Sequence, residues 1–135
     1  MMMEWSAAYE LGDPSLDNHH QELFLLTSRL DAAIQTGDSQ QLDDIIVFLE
    51  TYVVSHFNEE ESVMHHHHYT GYDMHRSEHD VLKFKVGELR KWFQGNVPKA
   101  HLIFGIRRTV DALMTHIRLV DVGIADIVKD HEAHP

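Results

Sequence analysis

Apolar residues recur along this chain at alternating steps of three and four, the spacing that lines one face of a helix. Leu16, His20, Leu23, Leu30 and Ile34 share a face in the first such segment, which Gly37 and Asp38-Ser39 close. In the second, the stripe runs through Ile45, Leu49, Tyr52, His56, Glu60 and Val63. The third is the most regular, with Tyr72, His75, His79, Leu82, Val86, Leu89 and Phe93 alternating three and four without a fault. Gly95-Asn96 ends it, and Asn96 with Pro98 is suited to start a fourth segment carrying Ile106, Val110, Leu113, Ile117, Val120, Ile124 and Ile127. The pattern predicts an all-α fold, an up-down-up-down four-helix bundle with helices over about 16–36, 40–66, 71–94 and 97–118. No internal repeat or linker divides residues 1–135, which read as one domain.

Both ends depart from the pattern. Trp5, Tyr9 and Leu11 have no helical continuity with the first segment, because Gly12 and Asp13-Pro14 break the chain, so residues 1–15 are expected to form an arm anchored by Trp5. Near the other end His116 and Asp121 are five apart, about 140° out of phase on a regular helix. They converge only if the helix loosens between Ile117 and Asp121, and a short helix is expected beyond it, from about 121 to 129.

Within the stripes, polar residues stand where apolar ones belong. His56 and Glu60 are four apart, as are His75 and His79, so each pair projects from one helix face about a turn apart. Leaving a neutral polar group buried without compensation costs roughly 2–7 kcal/mol, and a charge costs more. Metal ions at the bundle centre are the compensation these residues suit, with His20 contributing from a third wall and His116 and Asp121 from a fourth. Five imidazoles and two carboxylates form a nitrogen and oxygen ligand set for a pair of first-row transition metals.

Composition narrows the chemistry. There is no cysteine, which removes disulfides and thiolate ligation. With 22 acidic residues against 11 basic ones, the net charge of −11 disfavours nucleic acid and anionic membranes and favours a monomer with neutral, cationic or small partners. The opening Met-Met-Met-Glu-Trp-Ser lacks the basic and apolar regions of a signal peptide, and no apolar run approaches a membrane span, so a cytoplasmic location is expected. Thirteen histidines are the outlier. His65-His66-His67-His68 reads as a solvated loop or a secondary divalent-metal site, and His101, His131 and His134 read as surface residues. Glu59 and Glu61, flanking Glu60, read as a solvated face.

Asp17-Asn18-His19-His20, His56-Phe57-Asn58-Glu59-Glu60-Glu61, His75-Arg76-Ser77-Glu78-His79 and His116-Ile117 with Asp121 together resemble the motifs of the hemerythrins, and of the single-domain bacterial members in particular. Trp5 with Gly12 is similar to that family's N-terminal arm. The resemblance implies two iron ions, one capped by His75, His79 and His116 and the other by His20 and His56, bridged by Glu60, Asp121 and a solvent-derived oxo or hydroxo group. Three imidazoles with three bridges fill six positions and two imidazoles with three bridges fill five, so one iron keeps an open position for dioxygen. Leu23, Phe57, Leu113 and Ile117, each within a turn of a ligand, are expected to form a dry pocket wall. Ala112 stands where the family often has tryptophan, which implies a wider pocket. His19 stands where glutamine is common, and on a regular helix it points about 100° away from His20.

The function implied is reversible dioxygen binding for storage or for delivery to an oxygen-consuming enzyme, rather than catalysis. Sensing of oxygen, redox state or nitric oxide by the same site is the alternative, as is a di-iron oxidase or peroxidase. No Glu-x-x-His of the carboxylate-rich oxidases and no His-Glu-x-x-His of the zinc proteases occurs in the sequence. A structural bundle loaded with zinc is compatible with the same ligand types.

Overall fold

The computed structural model of the chain describes residues 14–95, 97–118 and 123–124. Pro14 opens α1 (Pro14–Thr36), where its missing N–H forfeits no helical bond. Pro14 and Ser15 thus belong to the helix and not to the arm the sequence pattern assigns them to; Trp5 and the rest of that arm lie outside the described residues. Gly37, at φ +65, takes the left-handed conformation that ends α1, and its N–H donates to the Ala33 carbonyl at 2.8 Å. The next residue, Asp38, caps α2 (Ser39–His66) by accepting the Gln40 N–H at 2.9 Å. One residue therefore ends a helix and its neighbour starts the next, which turns α1 and α2 antiparallel.

A longer join, in which His68 adopts φ 54, leads to α3 (Tyr72–Gln94). The fourth helix, α4 (Lys99–His116), begins after Pro98, which offers no side-chain cap; Asn96, the expected start signal, is not among the described residues. Lys99 Nζ donates to the Gly37 carbonyl at 2.5 Å and so ties the start of α4 to the end of α1. At its other end α4 widens into a π-type turn at Ile117–Arg118, which falls at the start of the stretch where the spacing of His116 and Asp121 demands a loosening. Gly123 and Ile124 are helical; the remainder of the expected 121–129 helix is outside the described residues.

These four antiparallel helices form an all-α bundle, and the described residues contain no strand. None of the described helices is long and apolar enough to cross a membrane. The apolar stripes meet in two separate clusters. The larger runs from Leu23 and Phe57 through Ile45, Leu49, Val86, Leu89 and Ile106 to Leu113 and Ile117. The smaller one is Leu16, Met64 and Ile124, with Val63, Tyr69 and Tyr72 against it. The first three helices pass from one to the other across a polar interval, His20 between Leu16 and Leu23, Glu60 between Phe57 and Met64, His75 and His79 between Tyr72 and Leu82, and α4 adds His116 after Leu113. A buried polar layer therefore crosses the bundle between two apolar ones.

Candidate metal centre

The layer is built around one carboxylate. Glu60 is fully buried, and all five imidazoles present Nε2 to it. Its Oε1 lies 2.6 Å from His75, 3.0 Å from His79 and 3.9 Å from His116. The other oxygen, Oε2, lies 3.0 Å from His56 and 3.6 Å from His20. The carboxylate thus divides the histidines into a group of three from α3 and α4 and a group of two from α1 and α2. None of the five rings is more than 3% exposed. Burial pushes the Glu60 carboxyl up, but polar contact with the His116, His20, His56 and His75 rings outweighs it and holds the group well below the usual carboxylate range.

The donor set can be tested for fit to metal ions. Ligand atoms bound about 2.0–2.2 Å from a first-row ion, as imidazole nitrogen and carboxylate oxygen are, stand roughly 3 Å apart when adjacent. Two groups meet that scale, Glu60 with His75, His79 and His116, and Glu60 with His20 and His56, the ligand atoms in each lying within 4.8 Å of one another. His116 Nε2 and His75 Nε2 are 3.1 Å apart, a separation suited to two donors on one cation. Glu60 belongs to both groups, as a bridging carboxylate would. Asp121, the seventh residue marked by the sequence, lies outside the described residues.

Several residues that hold the rings are not where the sequence pattern puts them. Glu61, expected on a solvated face, is 14% exposed, and its Oε2 accepts from His79 Nδ1 at 2.8 Å. Glu59 is also drawn in: His19 Nδ1 stands 3.5 Å from Glu59 Oε2 and 3.1 Å from His56 Nδ1. His19 does diverge from His20, yet that divergence brings it onto the back of another ring of the site. On α4, His116 Nδ1 is 3.6 Å from Glu78 Oε1. A carboxylate hydrogen-bonded behind an imidazole, as Glu61 is behind His79, fixes the tautomer in which the opposite nitrogen carries its lone pair inward, ready for a cation. The sequence shows only that Glu59 and Glu61 flank a residue of the buried stripe; which rings face them is set by how α1 and α3 pack on α2.

The aromatic and apolar surroundings complete the clamp. Phe57 lies face to face on His79, with centroids 3.9 Å apart and planes 4° from parallel, and Tyr52 stacks on His56 at 4.7 Å. Leu23, Phe57, Leu113 and Ile117, the expected pocket wall, are all at most 1% exposed and belong to the larger apolar cluster. Beside Ala112, a groove of about 490 Å3 between α3 and α4 is lined by Val81, Leu82, Thr115 and the His116 ring. The His65–His68 run is largely exposed at the end of α2, with the His66 and His67 rings 5.2 Å apart, and it forms no third metal-competent cluster among the described residues.

Comparison with known proteins agrees with this geometry. The chain matches the model of the hemerythrin HHE cation binding domain over residues 11–131. It is 29% identical to a bacteriohemerythrin of Methylococcus capsulatus, the match covering 77% of this chain and 95% of that protein. A bacteriohemerythrin of Aquifex aeolicus is 24% identical, with 96% and 100% covered. A solved structure of a leucine-to-phenylalanine mutant superposes with a TM-score of 0.78 at 27% identity, covering 94% of this chain and 98% of that one. With a helical bundle, a histidine layer shared by one carboxylate and a family match along almost its whole length, the chain belongs to the hemerythrin family.

Proposed function

We propose that the chain binds dioxygen reversibly at a di-iron centre, for storage or for delivery to an oxygen-consuming enzyme. The observation that carries this reading is the division of Glu60, one oxygen facing three imidazoles and the other facing two. His75, His79 and His116 would hold one iron and His20 and His56 the other, with Glu60 and Asp121 shared. Unequal capping leaves one side with fewer protein donors, which is where a small ligand has room. Two irons held there by these residues would supply the reversible two-electron chemistry by which dioxygen is taken up and given back.

The residues around the site favour binding over turnover. Leu23, Phe57, Leu113 and Ile117 exclude water and offer no proton, and further reduction of dioxygen needs protons. Glu61 holds His79 from behind at 2.8 Å, and Phe57 covers its face, so the ring is fixed before any metal arrives. The carboxylates of Glu59 and Glu78 stand outside the layer, near His19 and His116, and do not reach the bundle axis.

The test is the visible spectrum of the iron-loaded, anaerobically reduced protein, taken before oxygen, after oxygen and after its removal. Reversible binding gives a charge-transfer band that rises with oxygen and vanishes when it is removed. A single irreversible conversion would overturn this reading in favour of a di-iron oxidase or peroxidase, for which the groove at Ala112 provides the supporting observation.

A further inference from the structure

The net charge of −11 conceals a segregation. From Pro14 to His66 the chain carries one basic residue, Arg29, against ten acidic ones, whereas from Tyr72 to His116 it carries eight basic against five acidic. The half of the bundle formed by α1 and α2 is therefore strongly negative and the half formed by α3 and α4 is positive. Part of that positive charge is neutralised internally. Arg90 donates to Asp43 at 2.6 Å and to Glu50 at 2.7 Å, and Arg107 reaches Asp31 at 3.3 Å, which fastens α3 to α2 and α4 to α1. Lys85 and Arg108 have no acidic partner within 4 Å among the described residues, and both are exposed.

These two cations frame an aromatic surface. Phe84 on α3 is 67% exposed and Phe104 on α4 is 58% exposed, the guanidinium of Arg108 lying 5.6 Å from the Phe104 ring centroid. Phe84, Phe104, Lys85 and Arg108 line one groove of about 450 Å3 together with Glu88, whose carboxylate is paired with Lys91 at 3.2 Å. Its floor is firm, since Trp92 packs so closely on Gly105 that a Cβ there would fall 2.5 Å from Cζ3. Val81, 56% exposed, extends the apolar surface towards the groove at Ala112, which shares Arg108 but is also lined by Glu78 and Asp111, so the cationic part of the face is confined to the first groove. Two phenylalanines left in water beside two cations that have no acidic partner among the described residues are what a protein-binding surface presents: aromatic anchors, an arginine, and charge that selects the partner.

We propose that this α3–α4 face is a docking surface for an acidic protein partner, whose apolar residues cover Phe84 and Phe104 while its carboxylates pair with Lys85 and Arg108. A second copy of the chain fits less well. A two-fold contact would set Lys85 and Arg108 against their own copies, and a basic face laid on the acidic α1–α2 half would make a head-to-tail contact that has no reason to close. A locally acidic protein patch meets the cations without meeting the negative half.

The test uses the full chain, labelled for NMR and titrated with two probes of equal length, poly-glutamate and a random glutamate–tyrosine copolymer. The surface should bind the copolymer about tenfold more tightly than poly-glutamate at the same salt, with shifts centred on Phe84, Lys85, Phe104 and Arg108. The double substitution Lys85→Glu with Arg108→Glu should weaken both probes, whereas Phe84→Ser with Phe104→Ser should weaken the copolymer alone. Circular dichroism establishes that each variant is folded. Equal affinity for both probes, or shifts spread over unrelated lysines and arginines, would overturn the proposal. So would a concentration-dependent dimer that Phe84→Ser dissolves, or tighter binding to phosphatidylglycerol vesicles than to the copolymer through the same four residues.

Discussion

The bundle holds two kinds of interior side by side. Around Leu49 and Ile106 the helices meet through fully buried aliphatic side chains. Further along the axis, around Glu60, they meet through five imidazoles and a carboxylate with the same degree of burial. The first interior needs neither a bound ion nor a particular protonation state, because its contacts are non-directional and uncharged. The second is assembled from groups that resist dehydration, and it is complete when cations occupy it. Placing the polar layer between two apolar clusters lets the fold supply the position of the rings without asking the rings to supply the fold.

Substituting the shared carboxylate breaks this contrast most sharply. Glu60→Gln keeps the volume but removes the charge that faces both histidine groups, so metal analysis should find both irons lost while the helical circular dichroism is retained. A variant that keeps two irons per chain would remove Glu60 from the role of bridge. Acid should act on the same layer in the wild-type chain. Imidazoles must be neutral to coordinate, and their ordinary pKa is about 6.5. Iron retention should therefore fall as pH drops through the histidine range and be absent by pH about 4. The Glu60 carboxyl is lowered in the fold, so its contribution to stability is present above its ordinary value of 4.5 and is lost as pH falls from there towards the lowered value. Unchanged iron content at pH about 4 would sink the histidine ligation.

The apolar layer should respond in the opposite way. Leu49→Ala, at a site with no exposed surface, is expected to cost about 2–5 kcal/mol of stability in denaturant titration while the iron stoichiometry of the folded fraction stays the same. Loss of iron from the folded protein would mean that the two interiors are mechanically coupled.

This contrast also governs how much of the molecule is legible in its sequence. Periodicity locates the helices because the apolar stripe is a repeated, local signal, and the same regularity exposes His56, Glu60, His75 and His79 as substitutions within it. The spacing of His116 and Asp121 points to a distortion, and α4 widens at Ile117–Arg118, although Asp121 itself is outside the described residues. Contact between helices is hidden from such a reading. Glu61 and Glu59 look like an acidic surface run until α3 brings His79, and α1 brings His19, against them. Charge segregation is equally invisible in a single net value, since it depends on which helices pack together.

The smallest expected effect tests the support behind one ring. His79 Nδ1 is held by Glu61 at 2.8 Å, and Arg76 lies 3.8 Å from the same carboxylate's other oxygen. Removing such an outer partner leaves every ligand in place but frees the ring to rotate and lowers its basicity, which typically weakens metal binding about 10–100-fold. Glu61→Ala should therefore bind iron with affinity reduced by that factor in a competitive chelator titration, and Glu61→Gln should recover part of it through the remaining amide oxygen. The loss should fall on the three-histidine side, so chelator extraction should become biphasic, with one iron leaving first. Uniform weakening of both irons would assign Glu61 to packing of α2 against α3, since a structural role has no cause to distinguish between the two halves of the layer.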